Sequence, residues 1–376
     1  MLKVAIVGCG KIADSHAEQI ARIPGCEIVG VCDREPLMAK QLSERFSVKG
    51  HYSSLSEMLA ASYPDVIHIT TPPASHFSIA KACIEFGCHV YVEKPFALCE
   101  ADARVLINLA VSRGRKITVG HDDQFSHVAR RMRALVHEGY LGGSPVHMES
   151  YYCYEIGKSV YSGALLSDRT HWVRQLPGKL LHNIISHGIA RIAEFLTTDS
   201  PEVIAYGFTS PFLRSLGESE IIDELRVIIH SAGGSTAYFT FSSQMRPGLH
   251  GFRVFGPKNG LLLDQDQETL IKLPGTRYKS YAEKFVPPMA AAGQYLRNVR
   301  VNLQTFLGND FQMKAGMKFL IESFYRCILD RKPDPIPYRE ILLTARVMDT
   351  IFCQLERQRL DTPTESKLAV PIGVRN

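Results

Sequence analysis

Short apolar runs alternate with helical repeats along the first 120 residues. Val4-Ala5-Ile6-Val7, Glu27 to Cys32, Val66 to Ile69, His89 to Val92 and Lys116 to Val119 are nearly continuous and rich in β-branched residues, as strands buried on both faces require. Between them, Ile12 to Ile23, Pro36 to Phe46, Ser54 to Ala60, Ser75 to Phe86 and Glu100 to Arg113 have helical spacing and polar outer faces. The alternation predicts a doubly wound parallel α/β domain over residues 1–122. The pattern then changes. A helical segment, Phe125 to Glu138, ends at Gly139 before the break at Gly142-Gly143. Strand-like runs follow at Val146 to Tyr154, Glu202 to Thr209, Leu225 to Ser231, Ser235 to Ser242, Gly251 to Gly256 and Gly260 to Leu263. One helix, Leu180 to Leu196, interrupts them. Two more, Met313 to Leu329 and Arg339 to Arg357, flank the proline-rich Lys332 to Pro337 and close the chain. Residues 123–376 therefore read as an α+β substrate-binding and oligomerisation domain on an open, mostly antiparallel sheet, with the C-terminal helices placed to pack back on the first domain. The last dozen residues read as frayed.

Composition narrows the partners. The chain has 376 residues, 45% of them hydrophobic and 22% charged, with a formal net charge of +5. Its densest basic stretch, Arg130-Arg131-Met132-Arg133, lies inside a helical pattern. That argues against nucleic acid or a membrane surface as partner. No apolar run reaches the length of a membrane span, and no leader pattern precedes Val4, so a cytoplasmic location is expected. Nine cysteines at irregular spacing form neither a redox nor a zinc pattern, and no metal is expected. Cys32, Cys83, Cys327 and Cys353 read as buried small hydrophobes.

Gly8-Cys9-Gly10-Lys11-Ile12-Ala13 follows the first strand and opens a helix. Gly8 permits the tight turn, Gly10 lets a pyrophosphate reach backbone amides at the helix N-terminus, and Ala13 keeps helix and strand close. This is the fingerprint of a Rossmann dinucleotide-binding domain. Asp33 closes the second strand, where a carboxylate accepts both ribose hydroxyls and repels a 2′-phosphate. NAD is favoured; Arg34 beside it leaves NADP possible.

Further motifs are more specific. Thr70-Thr71-Pro72-Pro73-x-x-His76, then His89-Val90-Tyr91-Val92-Glu93-Lys94-Pro95, Gly120-His121-Asp122-Asp123-Gln124-Phe125 and Asn183-Ile184-Ile185-Ser186-His187 together resemble the Gfo/Idh/MocA family of glucose-fructose oxidoreductase, inositol 2-dehydrogenase and related sugar dehydrogenases. The resemblance implies cofactor contacts from Gly8, Gly10, Lys11, Ile12, Asp33 and Arg34, and from Thr70, Thr71, Pro72, His76, Glu93 and Lys94. It puts Lys94 beside the nicotinamide and substrate and makes His187 the histidine of proton transfer. Alcohol oxidation needs a proton acceptor while hydride leaves carbon, and a desolvated lysine or an imidazole meets that need. Asp122, Tyr151, Asn183, Lys94 and His187 are the expected substrate contacts. For Tyr151, Tyr152 and Tyr154, strand alternation allows one face to meet a sugar ring.

The chain departs from the family where it has Asn183 for aspartate, Ile185 for glycine and Gln124 for arginine. Asparagine carries neither charge nor a titrating proton, so the proton falls to Lys94 and His187, or to Asp168, His171 or His182 nearby. The expected activity is hydride transfer between NAD(H) and a hydroxyl-bearing carbon of a sugar, cyclitol or nucleotide-sugar. Two alternatives stand beside it: a dinucleotide-binding sensor or scaffold, and a redox-neutral or hydrolytic enzyme using tightly bound NAD. By analogy of fold a homodimer or homotetramer is expected.

Overall fold

A computed structural model describes residues 1–155, 160–279, 281–308 and 314–361. The first part alternates β1 (Leu2–Val7), α1 (Lys11–Ala21), β2 (Cys26–Cys32), α2 (Pro36–Phe46), β3 (His51–Tyr52), α3 (Leu55–Ser62), β4 (Val66–Ile69), α4 (His76–Phe86), β5 (His89–Val92), α5 (Glu100–Ser112) and β6 (Ile117–Val119). Local chemistry sets the helix ends. Pro36 supplies the first residue of α2, Ser54 caps α3 by accepting from Glu57 N–H, and Gly87 ends α4 at φ +108°. The strands form one parallel sheet in the order β3-β2-β1-β4-β5-β6, so all their carboxyl ends open at one edge. Strand order reverses between β1 and β4, where a crevice must form.

The second part contains α6 (His127–His137), β7 (His147–Cys153), α7 (Val160–Ser167), α8 (Lys179–Ile184), α9 (Ser186–Ala193), β8 (Glu202–Phe208), α10 (Pro211–Ser215), β9 (Glu224–His230), β10 (Thr236–Ser242), β11 (Leu249–Phe255), β12 (Asn259–Asp264) and β13 (Thr269–Pro274). Its seven strands run β13-β12-β11-β7-β10-β9-β8, antiparallel except at β7–β10. One face packs on α8, α9 and α13 (Tyr338–Asp361) around Phe239, Phe252 and Ile189. The other exposes Ile204, Ile228 and Tyr238, which lie in register across β8, β9 and β10. The chain then returns: Met317, Leu320, Phe324 and Tyr325 of α12 (Ala315–Leu329) belong to the core under the first sheet.

Several elements differ from the sequence reading. The helix read over 180–196 is two, α8 and α9, meeting at Ile185. The short β3, α7, α10 and strand β13 were not anticipated, nor was the 26-residue α11 (Ala282–Leu307). That helix contains Pro287 and Pro288 and buries only Asn298, while Phe285, Met289, Leu296 and Leu303 are exposed, so it has no buried apolar stripe to announce it. Cys353 is exposed rather than buried. Met313, read as the start of α12, and the last dozen residues lie outside the described residues.

The start of α12 meets the turn after β6 with no room to spare. A Cβ on Gly316 would overlap the Asp122 carbonyl oxygen and lie 3.0 Å from Ser126 N. Gly316→Ala is thus expected to destabilise the protein by about 1–3 kcal/mol in denaturant unfolding, against the gain of about 1 kcal/mol that helix propensity alone predicts.

Candidate active site

The carboxyl ends of β1, β2 and β4 open onto a cavity of about 750 Å³ lined by Gly8, Gly10, Asp33, Arg34, Thr70, Thr71 and Pro72. Gly8 has φ +94°, and a Cβ there would sit 2.7 Å from Thr71 N, so only glycine lets this turn close against β4. At Gly10, the N-cap of α1, a Cβ would meet nothing within 4 Å. That leaves the helix N-terminus open to an approaching phosphate. Asp33 Oδ2 accepts Cys9 N–H at 2.7 Å and Oδ1 accepts Glu35 N–H at 2.9 Å, which fixes the carboxylate at the cavity wall. These residues fit a dinucleotide. Trp172, Gln175 and Leu176, ahead of α8, close the cavity from the second core.

Other expected cofactor residues stand back from this lining. Lys11 and Ile12 form the first turn of α1 outside it. His76 is fully buried, its ring nitrogens 2.9 Å from Thr71 O and from Pro95 O, so it ties the β4 end to the β5 end. Glu93 points inward rather than into the cavity, with Oε1 2.8 Å from His16 Nε2. Lys94, the next residue along the chain, makes its side-chain bond toward the second core instead.

Lys94 stands at the end of β5, between the β4 end and the β6 end. Its Nζ donates to Asn183 O at 3.0 Å, a bond from the first core to α8 of the second. Burial lowers its proton affinity, opposed chiefly by Glu93 and then by Asp122 and Asp123. Beside the β6 end lies a second cavity of about 700 Å³, whose walls include Asp122, Asp123, Tyr152, His187, Gln265 and Lys314. His187 is buried and stacks on Tyr152, ring centroids 5.6 Å apart. Its Nδ1 lies 3.5 Å from Asp123 Oδ2, and burial brings its pKa down to about 4 against the pull of Asp123. Asp123 Oδ1 accepts Gln265 Nε2–H at 3.0 Å. Despite burial, His187, Arg191 and Gln265 hold Asp123 below the usual carboxylate range, whereas burial and Asp123 push Asp122 up to about 7. Ligand atoms of Asp122, Asp123 and His187 lie within 4.8 Å of one another. Lys314 lies 3.9 Å from Asp122 and Arg191 3.5 Å from Asp123, so each carboxylate also faces a cationic side chain.

The structure thus brings Lys94, Asp122, Asn183 and His187 together and sends Tyr151 elsewhere. Tyr151 lies on the opposite face of β7, its hydroxyl on Glu149 and Arg253 over its ring; Tyr152, one residue on, faces the cavity. Asp168 binds Thr170, His171 stacks on Trp172, and His182 stacks on Phe352; none of the three lines either cavity. Gln124, the third departure, donates from Nε2 to Ala190 O and Glu194, anchoring α9 rather than meeting substrate. Asp123, Arg191, Gln265 and Lys314 were not foreseen. Asp123 was visible beside Asp122 in its motif, but its partner His187 comes from a distant helix, and Gln265 and Lys314 sit in no motif.

Fold and cradle define a chain whose first part is a Rossmann dinucleotide-binding domain. Residues 2–121 match the family described as "Oxidoreductase family, NAD-binding Rossmann fold" (GFO_IDH_MocA), a match that spans the first sheet and its helices. D-glucoside 3-dehydrogenase of Escherichia coli K12 is 32% identical over 142 residues, 38% of this chain and 40% of that protein. The matches span less than half the length of the first curated relatives. Whole-chain likeness comes from structures. UDP-N-acetylglucosamine 3-dehydrogenase of Acidithiobacillus ferrooxidans superposes with a TM-score of 0.70 at 19% identity, covering 94% of this chain and 99% of that one. The WlbA dehydrogenase of Bordetella pertussis, in complex with NADH and UDP-GlcNAcA, gives 0.73 at 17%, covering 95% and 97%. At such identities the likeness speaks for the fold.

Asp122 generates a stability test. Its folded value is raised, so the folded protein loses stability as pH climbs from about 4, where the unfolded carboxyl ionises, through about 7. Asp122→Asn lacks that loss. Its stability relative to the parent is expected to rise between pH 5 and pH 8, by on the order of 1–3 kcal/mol, in denaturant titrations at the two pH values.

Proposed function

We propose that the protein is an NAD(H)-dependent dehydrogenase acting on a hydroxyl-bearing carbon of a sugar, cyclitol or nucleotide-sugar, with NAD preferred over NADP. The observation that carries this reading is the Lys94 amine, desolvated and held on Asn183 O at the strand end between a dinucleotide-sized cavity and a polar one. A bound nicotinamide would accept or return the hydride. The chain's own residues handle the proton. Burial favours the neutral amine of Lys94, which accepts the hydroxyl proton, while the Asn183 carbonyl takes one of its hydrogens and aims the nitrogen. His187, uncharged near neutral pH, has the Asp123 carboxylate behind it, so a positive imidazolium formed in passing is stabilised. Asp123 thereby supplies from the turn after β6 the negative charge that Asn183 cannot provide. Asp122, its proton held more tightly than usual, is suited to donate a hydrogen bond to a substrate oxygen. Asp33 favours NAD, since its carboxylate would face a 2′-phosphate.

Nicotinamide fluorescence titration and a panel of polyols, sugars and nucleotide-sugars, followed by the absorbance of the reduced cofactor, test the reading. Lys94→Ala is expected to lower kcat/KM by about 10²–10⁴-fold while leaving NADH affinity nearly unchanged; undiminished turnover would remove Lys94 from the chemistry. We also propose that the open face of the second sheet joins two copies, supported by the aligned, exposed Ile204, Ile228 and Tyr238. Sedimentation should then find dimers or tetramers, and Ile228→Glu should dissociate them; a monomeric parent protein overturns this.

A further inference from the structure

One residue before Lys94 begins a line of polar groups sealed in the first core. Glu93 Oε1 is 2.8 Å from His16 Nε2, His16 Nδ1 is 2.8 Å from His68 Nδ1, and His68 Nε2 is 2.8 Å from the Tyr325 hydroxyl. His16 and His68 are wholly buried, Tyr325 is 2% exposed and Glu93 6%. The four come from α1, β4, the residue that follows β5, and α12. His68 stacks on Tyr91 at 4.7 Å and His16 meets the same ring edge-on at 5.3 Å, so neither imidazole has freedom to turn away. Gly120 makes the space: a Cβ there would stand 2.8 Å from Glu93 Oε1.

Hydrogen counting gives the line a direction. With Glu93 ionised, Tyr325 O–H donates to His68 Nε2, His68 Nδ1–H to His16 Nδ1, and His16 Nε2–H to the carboxylate, so each polar hydrogen in the line has an acceptor. A proton on Oε1 would force every bond to reverse and leave the Tyr325 hydrogen without an acceptor among the described residues; a proton on Oε2 would put a second hydrogen where Lys94 N–H already points. A buried orphan donor is costly, so the line itself favours the ionised carboxylate. Glu93 is accordingly held down to about 2 although burial pushes it up. Its Oε2 accepts Lys94 N–H at 3.2 Å.

We propose that His16 is a positioning residue: by donating to Glu93 it keeps that carboxylate charged next to Lys94 in the chain, and so keeps a negative neighbour for the Lys94 amine. The proposal rests on Lys94 as the proton-handling group. Charged and titratable groups reach Lys94 from every side: Glu93 on its own strand end, Asp122 and Asp123 after β6, Lys314 ahead of α12, and His121 and His187. Among them Glu93 opposes burial most strongly. Tyr91, His76, His121 and Asp122 also sense the Glu93 charge. Removing the His16 donor would leave a buried carboxylate short of partners, and it would take up a proton. Lys94 would then lose its foremost negative neighbour and release its own proton at lower pH.

The test uses the full-length protein with bound NADH as a check of folding. The Lys94 titration is read by NMR of isotope-labelled lysine, assigned with Lys94→Ala, and the pH profile of kcat/KM for alcohol oxidation is measured alongside. Oxidation requires the unprotonated amine, so the rising limb marks its titration. In His16→Leu and in Glu93→Gln both readouts should move toward acid by about one to three pH units. His16→Gln, which keeps an N–H for Glu93, should stay near the parent value. The double variant should shift no further than Glu93→Gln alone. Should His16→Leu not fold, His16→Asn, too short to reach Glu93, takes its place with the same expected shift. A folded His16 variant lacking the donor whose Lys94 titration does not move, or a double variant whose shifts add, overturns the proposal. A titration that moves while the rate profile stays put supports the role of His16 and overturns instead the role of Lys94 in proton transfer.

Discussion

A carboxylate shut away from water needs partners, and Glu93 is the group around which the first core is organised. Charge cannot be buried cheaply, so its oxygens are answered by an imidazole from α1 and a backbone amide from the next residue. The imidazole is in turn answered by β4, and β4 by a tyrosine that arrives from α12, far along the chain. The first sheet is therefore incomplete until the chain has passed through the second core and come back. Lys94 takes its place as the outward neighbour of that anchored side chain.

Parallel strand order does the remaining placement. Successive carboxyl ends along one edge present the glycine turn, Asp33, the threonine pair, Lys94 and then Asp122 and Asp123, so the dinucleotide cradle and the polar cavity are neighbours without any special loop. The second core contributes walls from above: Trp172 over the cradle, His187 and Tyr152 over the polar cavity. The Lys94–Asn183 bond spans the two cores at the point where they meet. A shift of one core against the other would alter both the aim of the lysine nitrogen and its access to water.

What could be read from sequence follows from which constraints are local. Gly8 and Asp33 were legible because a tight turn and a strand end demand particular residue types within a few positions. Tyr151 was misplaced by one residue, since alternation gives the two faces of β7 but not which face is which; that is decided by Gly188 and Phe239 packing behind the sheet. The helix α11 escaped because its apolar residues are exposed and its prolines read as breaks. Asp123 could be quoted as part of a motif, yet its work depends on His187 and Arg191 arriving from α9, which only the fold arranges. The line from Glu93 to Tyr325 involves histidines of ordinary appearance and could not be assembled before the topology was known.

Asp33 carries two duties in one side chain. One oxygen is tied to the amide of Cys9 in the middle of the glycine turn, so the residue that would meet the ribose also braces the loop that would meet the phosphates. An engineer wishing to convert the cradle to a phosphorylated ribose by replacing Asp33 would cut that brace at the same stroke. Ribose contact and loop order would be set by one residue here, and a redesign would have to restore an acceptor for the Cys9 amide before any new specificity could be used.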